Sequence, residues 1–351
     1  MQRLRERGLS PGDVRIIPAA AGGPKGLVLN PLDRFIFGEW LAPSTHTVHL
    51  MGASIGAWRM ATACLDDPAA QFERLADDYI TQDYAHAPGK PPLPRHVSEV
   101  FAATLQQRFG GNPAQLLQHP RYRLHVFTSH GRHVLRRQGR LRTPLGYAGA
   151  FVANTLHRRA MGGWLERVVF SDLREPLPLH LRDFRTQVVG LDANNLCASI
   201  LASCSIPFWL DAVHDIPGAP AGAYWDGGIT DYHLHLDYGS MHRPPADEAG
   251  LVLYPHFQSS VIPGWLDKAL KHRHRATAHL DNVVLLSPTP QWIATLPNAK
   301  LPDRNDFKAY GDDVGARIRV WRRAVAESRR LADEFAQWLH AGRAIEVLPL
   351  P

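Results

Sequence analysis

Residues 48–56 read Val48-His49-Leu50-Met51-Gly52-Ala53-Ser54-Ile55-Gly56. The apolar run up to Met51 has the makeup of a short buried strand. Beyond Gly56, the stretch Ala57-Trp58-Arg59-Met60-Ala61-Thr62-Ala63-Cys64-Leu65 holds good helix formers and no breaker. Between them lies a G-x-S-x-G, with Ser54 at the apex of a strand-to-helix turn. Small residues at Gly52 and Gly56 let the backbone take that sharp, strained turn, and the serine hydroxyl is expected to stand exposed above the sheet edge. The helix N-terminus beside it favours negative charge. The expectation is a nucleophile elbow that attacks an ester or thioester carbonyl.

Two further segments stand in order around this one. Val14-Arg15-Ile16-Ile17-Pro18 reads as a strand, and Ala19-Ala20-Ala21-Gly22-Gly23-Pro24-Lys25-Gly26-Leu27 follows it. Glycine-rich backbone between a strand and a helix aims N–H groups at an anion. Next to a nucleophilic serine, that anion is the tetrahedral oxyanion. A nucleotide phosphate loop is excluded, because Lys25 precedes Gly26 and no Ser or Thr follows. The dinucleotide fingerprint fails at its first position, Ala21. Downstream, Tyr224-Trp225-Asp226-Gly227-Gly228 has the look of a tight turn presenting a carboxylate, and by itself it reads as an Asx-turn. Upstream of it, Cys197 to Ser205 is a small-residue helix that Pro207 should terminate, suited to close, buried packing.

Glycine loop, G-x-S-x-G and distant D-G-G in this order resemble the patatin-like phospholipase family. The resemblance spans residues 14–235, with the small-residue helix as a fourth element. The family's loop reads D-G-G-G-x-[RK]-G, and here it is Ala20-Ala21-Gly22-Gly23-Pro24-Lys25-Gly26. The leading aspartate and first glycine are thus alanines, while Gly22, Gly23, Lys25 and Gly26 match. Gly52 and Gly56 match around the serine, and Gly227 and Gly228 match after the aspartate. The resemblance implies an α/β three-layer sandwich, with a central, mostly parallel sheet flanked by helices. It also implies a Ser54–Asp226 dyad without histidine, an oxyanion hole at Gly22 and Gly23, a supporting Lys25, and neither cofactor nor metal. The chemistry is coherent: a carboxylate takes the serine proton only if partial desolvation raises its basicity. An acyl group passes to Ser54 and water releases it. The expected function is a lipid acyl hydrolase of phospholipase A or lysophospholipase type.

Other readings compete. Nineteen histidines keep a Ser-His-Asp esterase open, with His233 and His235 nearest the aspartate in sequence. An acyltransferase differs only in whether an alcohol replaces water. The Ala20-Ala21 departure motivates a catalytically silent lipid-binding protein of the same fold. His233-Leu234-His235 and His272-Arg273-His274 lack the third ligand that a metal site needs.

At 351 residues, 45% hydrophobic and 21% charged, the composition is that of an ordinary globular chain. Strands are expected at Val14–Pro18, Thr47–Met51, Tyr122–Thr128, Thr186–Leu191, Gly250–Tyr254 and Asn282–Leu286, with helical patterns between the first few, so a mostly parallel sheet follows. We read residues 1–351 as one catalytic domain with an inserted cap or interfacial segment at 134–167. One long amphipathic helix is expected at 312–340, ended by Gly342. Three cysteines fit free thiols in a reducing compartment. The basic N-terminus lacks a signal peptide's apolar run, and no 18-residue apolar window exists, so a cytoplasmic protein, peripheral at the membrane, is expected. The net charge of +6 is scattered and no nucleic-acid module is legible, which leaves an anionic lipid surface as the better partner. Pro263 to Arg275 begins like a helix, with Trp265, Leu266, Ala269 and Leu270 on one face and Lys268, Lys271, Arg273 and Arg275 beside them, the makeup either of an interfacial segment or of an amphipathic helix packed on the core with a solvated basic face. Trp164 and Leu165 are the second such candidates. Head group, acyl chain and oligomeric state stay open.

Overall fold

The computed structural model describes residues 2–87, 90–241, 250–340 and 347–351. Among these, nine strands supply the frame: β1 Val14–Ala19, β2 Val48–Ala53, β3 Tyr122–Gly131, β4 Leu165–Ser171, β5 Thr186–Gly190, β6 Val213–His214, β7 Ala223–Trp225, β8 Leu251–Pro255 and β9 Val283–Leu286. Seven of them run in the order β5-β4-β3-β2-β1-β8-β9, while β7 pairs with β3 and with β6. The block β9, β8, β1, β2, β3 is parallel throughout. β4 turns antiparallel to β3.

Side chains of one strand alternate between two apolar cores. Leu50 enters the core that holds the Ile55–Ala63 helix, and its neighbour Met51 enters the opposite one. Leu253 and Tyr254 of β8 divide in the same way. Both faces of the sheet are therefore covered, which is why β1 and β2 are nearly continuous apolar runs rather than alternating ones. The result is a mixed α/β sandwich with helices on both faces of a mostly parallel sheet. The loops that follow β1 and β2 both leave the carboxyl edge of the parallel block, where open α/β sheets place their ligand crevice.

The Ile55–Ala63 helix is fixed by an ion pair that the sequence did not advertise. Arg59 donates from Nε and Nη2 to the two carboxylate oxygens of Asp33 at 2.8 and 2.7 Å. Asp33 lies in the Asn30–Phe35 helix, and both side chains are almost fully buried. A two-pronged contact of this kind fixes rotation of the helix as well as its distance.

Several expectations need correction. Residues 263–275 form no amphipathic helix; they make two short 3₁₀ turns, Trp265–Asp267 and Lys271–Arg273. The cause is Asp267, which is fully buried and accepts hydrogen bonds from Asn154, Arg158 and Arg273. The chain winds around that carboxylate, and Trp265 and Leu266 lie partly buried against the apolar cluster of Trp225 and Ile229. Leu165 belongs to β4 and is fully buried, so it cannot face a membrane. The single helix at 312–340 is instead two, Val314–Glu327 and Arg329–His340. Ser328 interrupts it, its hydroxyl donating to the Val325 carbonyl at 2.7 Å and competing with the helical ladder. Gly342, expected to end that helix, lies outside the described residues.

The Asp33–Arg59 pair makes a stability prediction. Arg59→Ala leaves a buried unpaired carboxylate and should cost about 3–5 kcal/mol in urea unfolding. The double replacement Asp33→Leu with Arg59→Met should recover most of that loss. Equal losses in both would mean that packing, not charge pairing, dominates here.

Candidate active site

Ser54 sits between β2 and the Ile55–Ala63 helix with φ 56° and ψ −130°. That left-handed backbone costs a non-glycine residue about 1–3 kcal/mol, and it persists only where surrounding structure imposes it. Two close approaches impose it here. A Cβ on Gly56 would lie 1.9 Å from the Ala19 carbonyl oxygen, and one on Gly52 would lie 2.4 Å from Ala57 Cα. The Ser54 N–H donates to Ser203 Oγ at 2.9 Å, and that hydroxyl in turn donates to the Phe127 carbonyl at 2.7 Å. Ser54 is buried, 3% exposed, rather than exposed as the elbow pattern suggested. The D-G-G turn brings the Asp226 carboxylate against it.

Asp226 arrives from the other side. β7 pairs antiparallel with β3, Trp225 opposite Ser129, and the next residue turns back toward the serine. Its N–H donates to the Ser205 carbonyl and its carbonyl accepts from Ser129 Oγ, so the main chain is held at both ends. Ser54 Oγ donates to Asp226 Oδ2 at 2.7 Å. The Gly228 N–H donates to Oδ1, also at 2.7 Å. This second bond is an Asx-turn, so the turn reading and the paired-carboxylate reading describe the same geometry. A Cβ on Gly227 would lie 2.0 Å from the Phe127 carbonyl oxygen, which explains the glycine there. Burial raises the Asp226 pKa; Arg304, the bonds from Ser54 and Gly228, and Lys268 oppose that rise without cancelling it. The aspartate is thus a stronger base than a solvated carboxylate.

The glycine loop packs against the segments that carry both groups. The Ala21 N–H donates to the Tyr232 carbonyl at 2.9 Å. Gly22 and Gly23 then lead a 3₁₀ stretch, Gly23–Leu29, whose first N–H groups have no acceptor inside the helix. Gly23 has φ +56°, and a Cβ on Gly22 would meet the Phe257 ring at 2.5 Å. Gly26 packs on Ile55 of the nucleophile helix. Lys25 Nζ stands 5.4 Å from the centre of the Phe257 ring, its pKa lowered by burial. Both substituted positions, Ala20 and Ala21, are buried. The Ala21 methyl lies against Gly228, 2.6 Å from where a Cβ would stand. The departures from the family pattern therefore fall on packing, and Gly22 and Gly23 keep their places.

The histidines stand elsewhere. Among the described residues, none hydrogen-bonds Ser54. His233 is fully buried between the Tyr232 and His256 rings, and its Nδ1 pairs with the Ile262 N–H. Burial holds its pKa well below the usual value. His235 pairs with Thr277 and His274 with the Asp267 carbonyl. Among the described residues, no group of three His, Cys, Asp or Glu is placed to hold a metal. Sequence reading missed Ser203, which sits in the Leu196–Cys204 helix that the small-residue pattern had marked as central. It also missed Arg304, for which no motif existed, and placed Lys268 on a surface helix instead of beside the site.

A cavity of about 440 Å³ opens beside the glycine loop. Its walls are mainly apolar, with Pro91, Ile206, Leu210 and Phe307 among them, and Tyr79 and Arg304 stand at the end nearest Gly23.

Compared with known proteins, the chain matches no protein-family model and no curated protein. Among solved structures, VipD from Legionella pneumophila aligns with 92% of this chain and 67% of its own, at 13% identity and a TM-score of 0.35.

Two stability predictions follow from the elbow and the buried acid. Gly56→Ala drives a methyl into the Ala19 carbonyl and should cost about 1–3 kcal/mol, read by thermal melting. Asp226 has its folded pKa raised, so its ionisation costs stability above that pKa and costs nothing below the ordinary carboxylate range. Asp226→Asn at pH 7 should hold or raise the melting temperature. A fall of several degrees would contradict the raised pKa.

Proposed function

We propose that this chain is a lipid acyl hydrolase that cleaves carboxylic esters through a Ser54–Asp226 dyad and an acyl-enzyme. The observation that carries the reading is the 2.7 Å bond from Ser54 Oγ to a desolvated carboxylate, in a site where no histidine among the described residues hydrogen-bonds the serine. In the first step Asp226 takes the hydroxyl proton as Oγ bonds to the carbonyl carbon. The oxyanion forms within reach of the Gly22 and Gly23 N–H groups, each such donor being worth about 3–4 kcal/mol in systems where it has been removed. Collapse expels the alcohol, which takes the proton from Asp226. Water then repeats the sequence and releases the fatty acid. The apolar cavity beside the loop suits an acyl chain.

Lipid substrates lie in a bilayer, and among the described residues no helix is long and apolar enough to cross one. The surface that meets an anionic membrane in this reading is the Arg142–Leu156 helix. Its inner face, Gly146, Tyr147, Ala150 and Asn154, is buried, while Leu145, Val152 and Leu156 project outward, Leu156 at 80% exposure. Exposed Arg137, Arg140, Arg142 and Arg159 flank that apolar stripe. Tyr147, on the inner face of the same helix, meets the exposed Phe208, which lines the cavity. Apolar residues ringed by arginine fit anionic lipid better than a second copy of this basic chain.

Ser54→Ala and Asp226→Asn should each abolish ester turnover and labelling by a fluorophosphonate probe. Asp226 must be ionised to act, so kcat/KM should fall as pH drops through its raised pKa, above the ordinary carboxylate range. Activity above a tenth of wild type in Asp226→Asn, or lost as fully in His233→Ala, would overturn the dyad. For the membrane, co-sedimentation with anionic vesicles should fall at least fivefold when Leu145, Val152 and Leu156 are all changed to serine. Unchanged sedimentation would discard this helix as the contact.

A further inference from the structure

The cations around the dyad outnumber its anions. Lys25, Lys268 and Arg304 all act electrostatically on one another or on Asp226. None of the three has an ion-pair partner or a side-chain hydrogen bond among the described residues. Asp303, which also acts on Lys25, is bound by Lys300 at 3.0 Å, and Lys300 is shared with Asp306. Three cations without an ion-pair partner among the described residues therefore gather about the Asp226 carboxylate.

Their anchoring points place them around one loop. Arg304 Nε lies 3.4 Å from where a Cβ on Gly23 would stand, and its Nη2 lies at 3.8 Å. Lys268 Nζ sits 4.0 Å above the Tyr232 ring, whose carbonyl receives the Ala21 N–H. Lys25 belongs to the loop and leans toward the Phe257 ring that caps Gly22. Lys268 is an exposed residue, yet partial burial, with repulsion from Arg304 and Lys25, lowers its pKa to about 7. Cations crowded in this way repel one another unless a ligand supplies negative charge. Arg317 in the same cavity differs, because it donates to the Ile80 and Gln82 carbonyls and stacks on Phe307 and Trp321. It is a structural residue; Arg304 is not tied down.

We propose that Lys25, Lys268 and Arg304 form a subsite for a phosphate monoester carried by the substrate next to its scissile ester. The proposal rests on the hydrolase reading and narrows it to acyl esters such as an acylglycerol phosphate. A phosphate monoester near neutral pH carries about −1.5 to −2 charges and three strong acceptor oxygens, one for each of the three side chains. A carboxylate offers one charge and two oxygens. Arginine grips such a group with its fork, and lysines add point charge. The apolar cavity takes the acyl chain from the same point, so one molecule fills both features.

The test compares kcat/KM for an acylglycerol phosphate with that for a monoacylglycerol of the same chain. Wild type should favour the phosphate by at least tenfold, and a choline-capped phosphate should fall between the two. Arg304→Gln and Lys268→Gln should each cut that ratio tenfold or more, with Arg304→Lys retaining part of it. A ratio near one in wild type, or one that neither glutamine variant moves by twofold, overturns the proposal. Calorimetry with Ser54→Ala separates this from failure of the hydrolase reading. If no ester is turned over, yet acylglycerol phosphate binds Ser54→Ala and loses at least tenfold in affinity on adding Arg304→Gln, the subsite stands and the hydrolase reading falls. If inorganic phosphate binds but phosphate on the ester brings no preference, the site takes a free anion and the proposal falls. If the Ser54→Ala, Arg304→Gln double variant is unfolded by circular dichroism, Ser54→Ala with Arg304→Lys replaces it, and its affinity for acylglycerol phosphate must still drop.

Discussion

Everything at this site depends on a backbone held where an ordinary residue does not go. Ser54 adopts φ 56° because the helix after it is pressed onto the ends of β1 and β2. Contact is so close that neither Gly52 nor Gly56 has room for a methyl group. Relaxing the turn would require lifting the helix, and the buried Asp33–Arg59 pair resists that from its far side. Packing on both faces of the sheet thus maintains strain at one residue, whose hydroxyl is left with a single acidic partner.

In the proposed dyad, that partner would act as a base because it is poorly solvated. A carboxylate in water is too weak a base to help a serine, while burial without compensation would leave it protonated and useless. Asp226 lies between these limits. Desolvation raises its pKa, and hydrogen bonds from Ser54 and Gly228 together with Arg304 and Lys268 restrain the rise. Histidine is unnecessary in such an arrangement, and the nearest in sequence, His233, is neutral and occupied with the chain that follows it. The same cations that keep the aspartate ionisable offer their remaining charge to whatever lies beside it.

Local sequence spelled out the parts whose geometry is local. The strand, the serine turn, the glycine loop and the D-G-G turn each carry a backbone requirement that only particular residues meet, and the structure brings them together. Strands β1 and β2 were legible because burial on both faces makes them nearly continuous apolar runs, and β3 through its apolar Leu124, Val126 and Phe127. β4 was not, since Glu166 and Arg167 interrupt its pattern while being satisfied by His130 and by Asp231 and Asp183. The supposed helix after Pro263 failed for a related reason: apolar spacing suggested an amphipathic face, but a buried Asp267 recruits residues 154, 158 and 273 and bends the chain. Arg304 and Ser203 were invisible, because their importance comes from contacts made across 149 residues of chain or more.

The most direct test is to catch the covalent intermediate. Wild-type protein mixed briefly with a short-chain p-nitrophenyl ester, quenched in acid and digested, should carry one acyl group on the peptide containing Ser54, located by tandem mass spectrometry, and release p-nitrophenol in a burst stoichiometric with enzyme. Turnover with no acylated Ser54 at any quench time, or an acyl group found on another residue, would contradict the account.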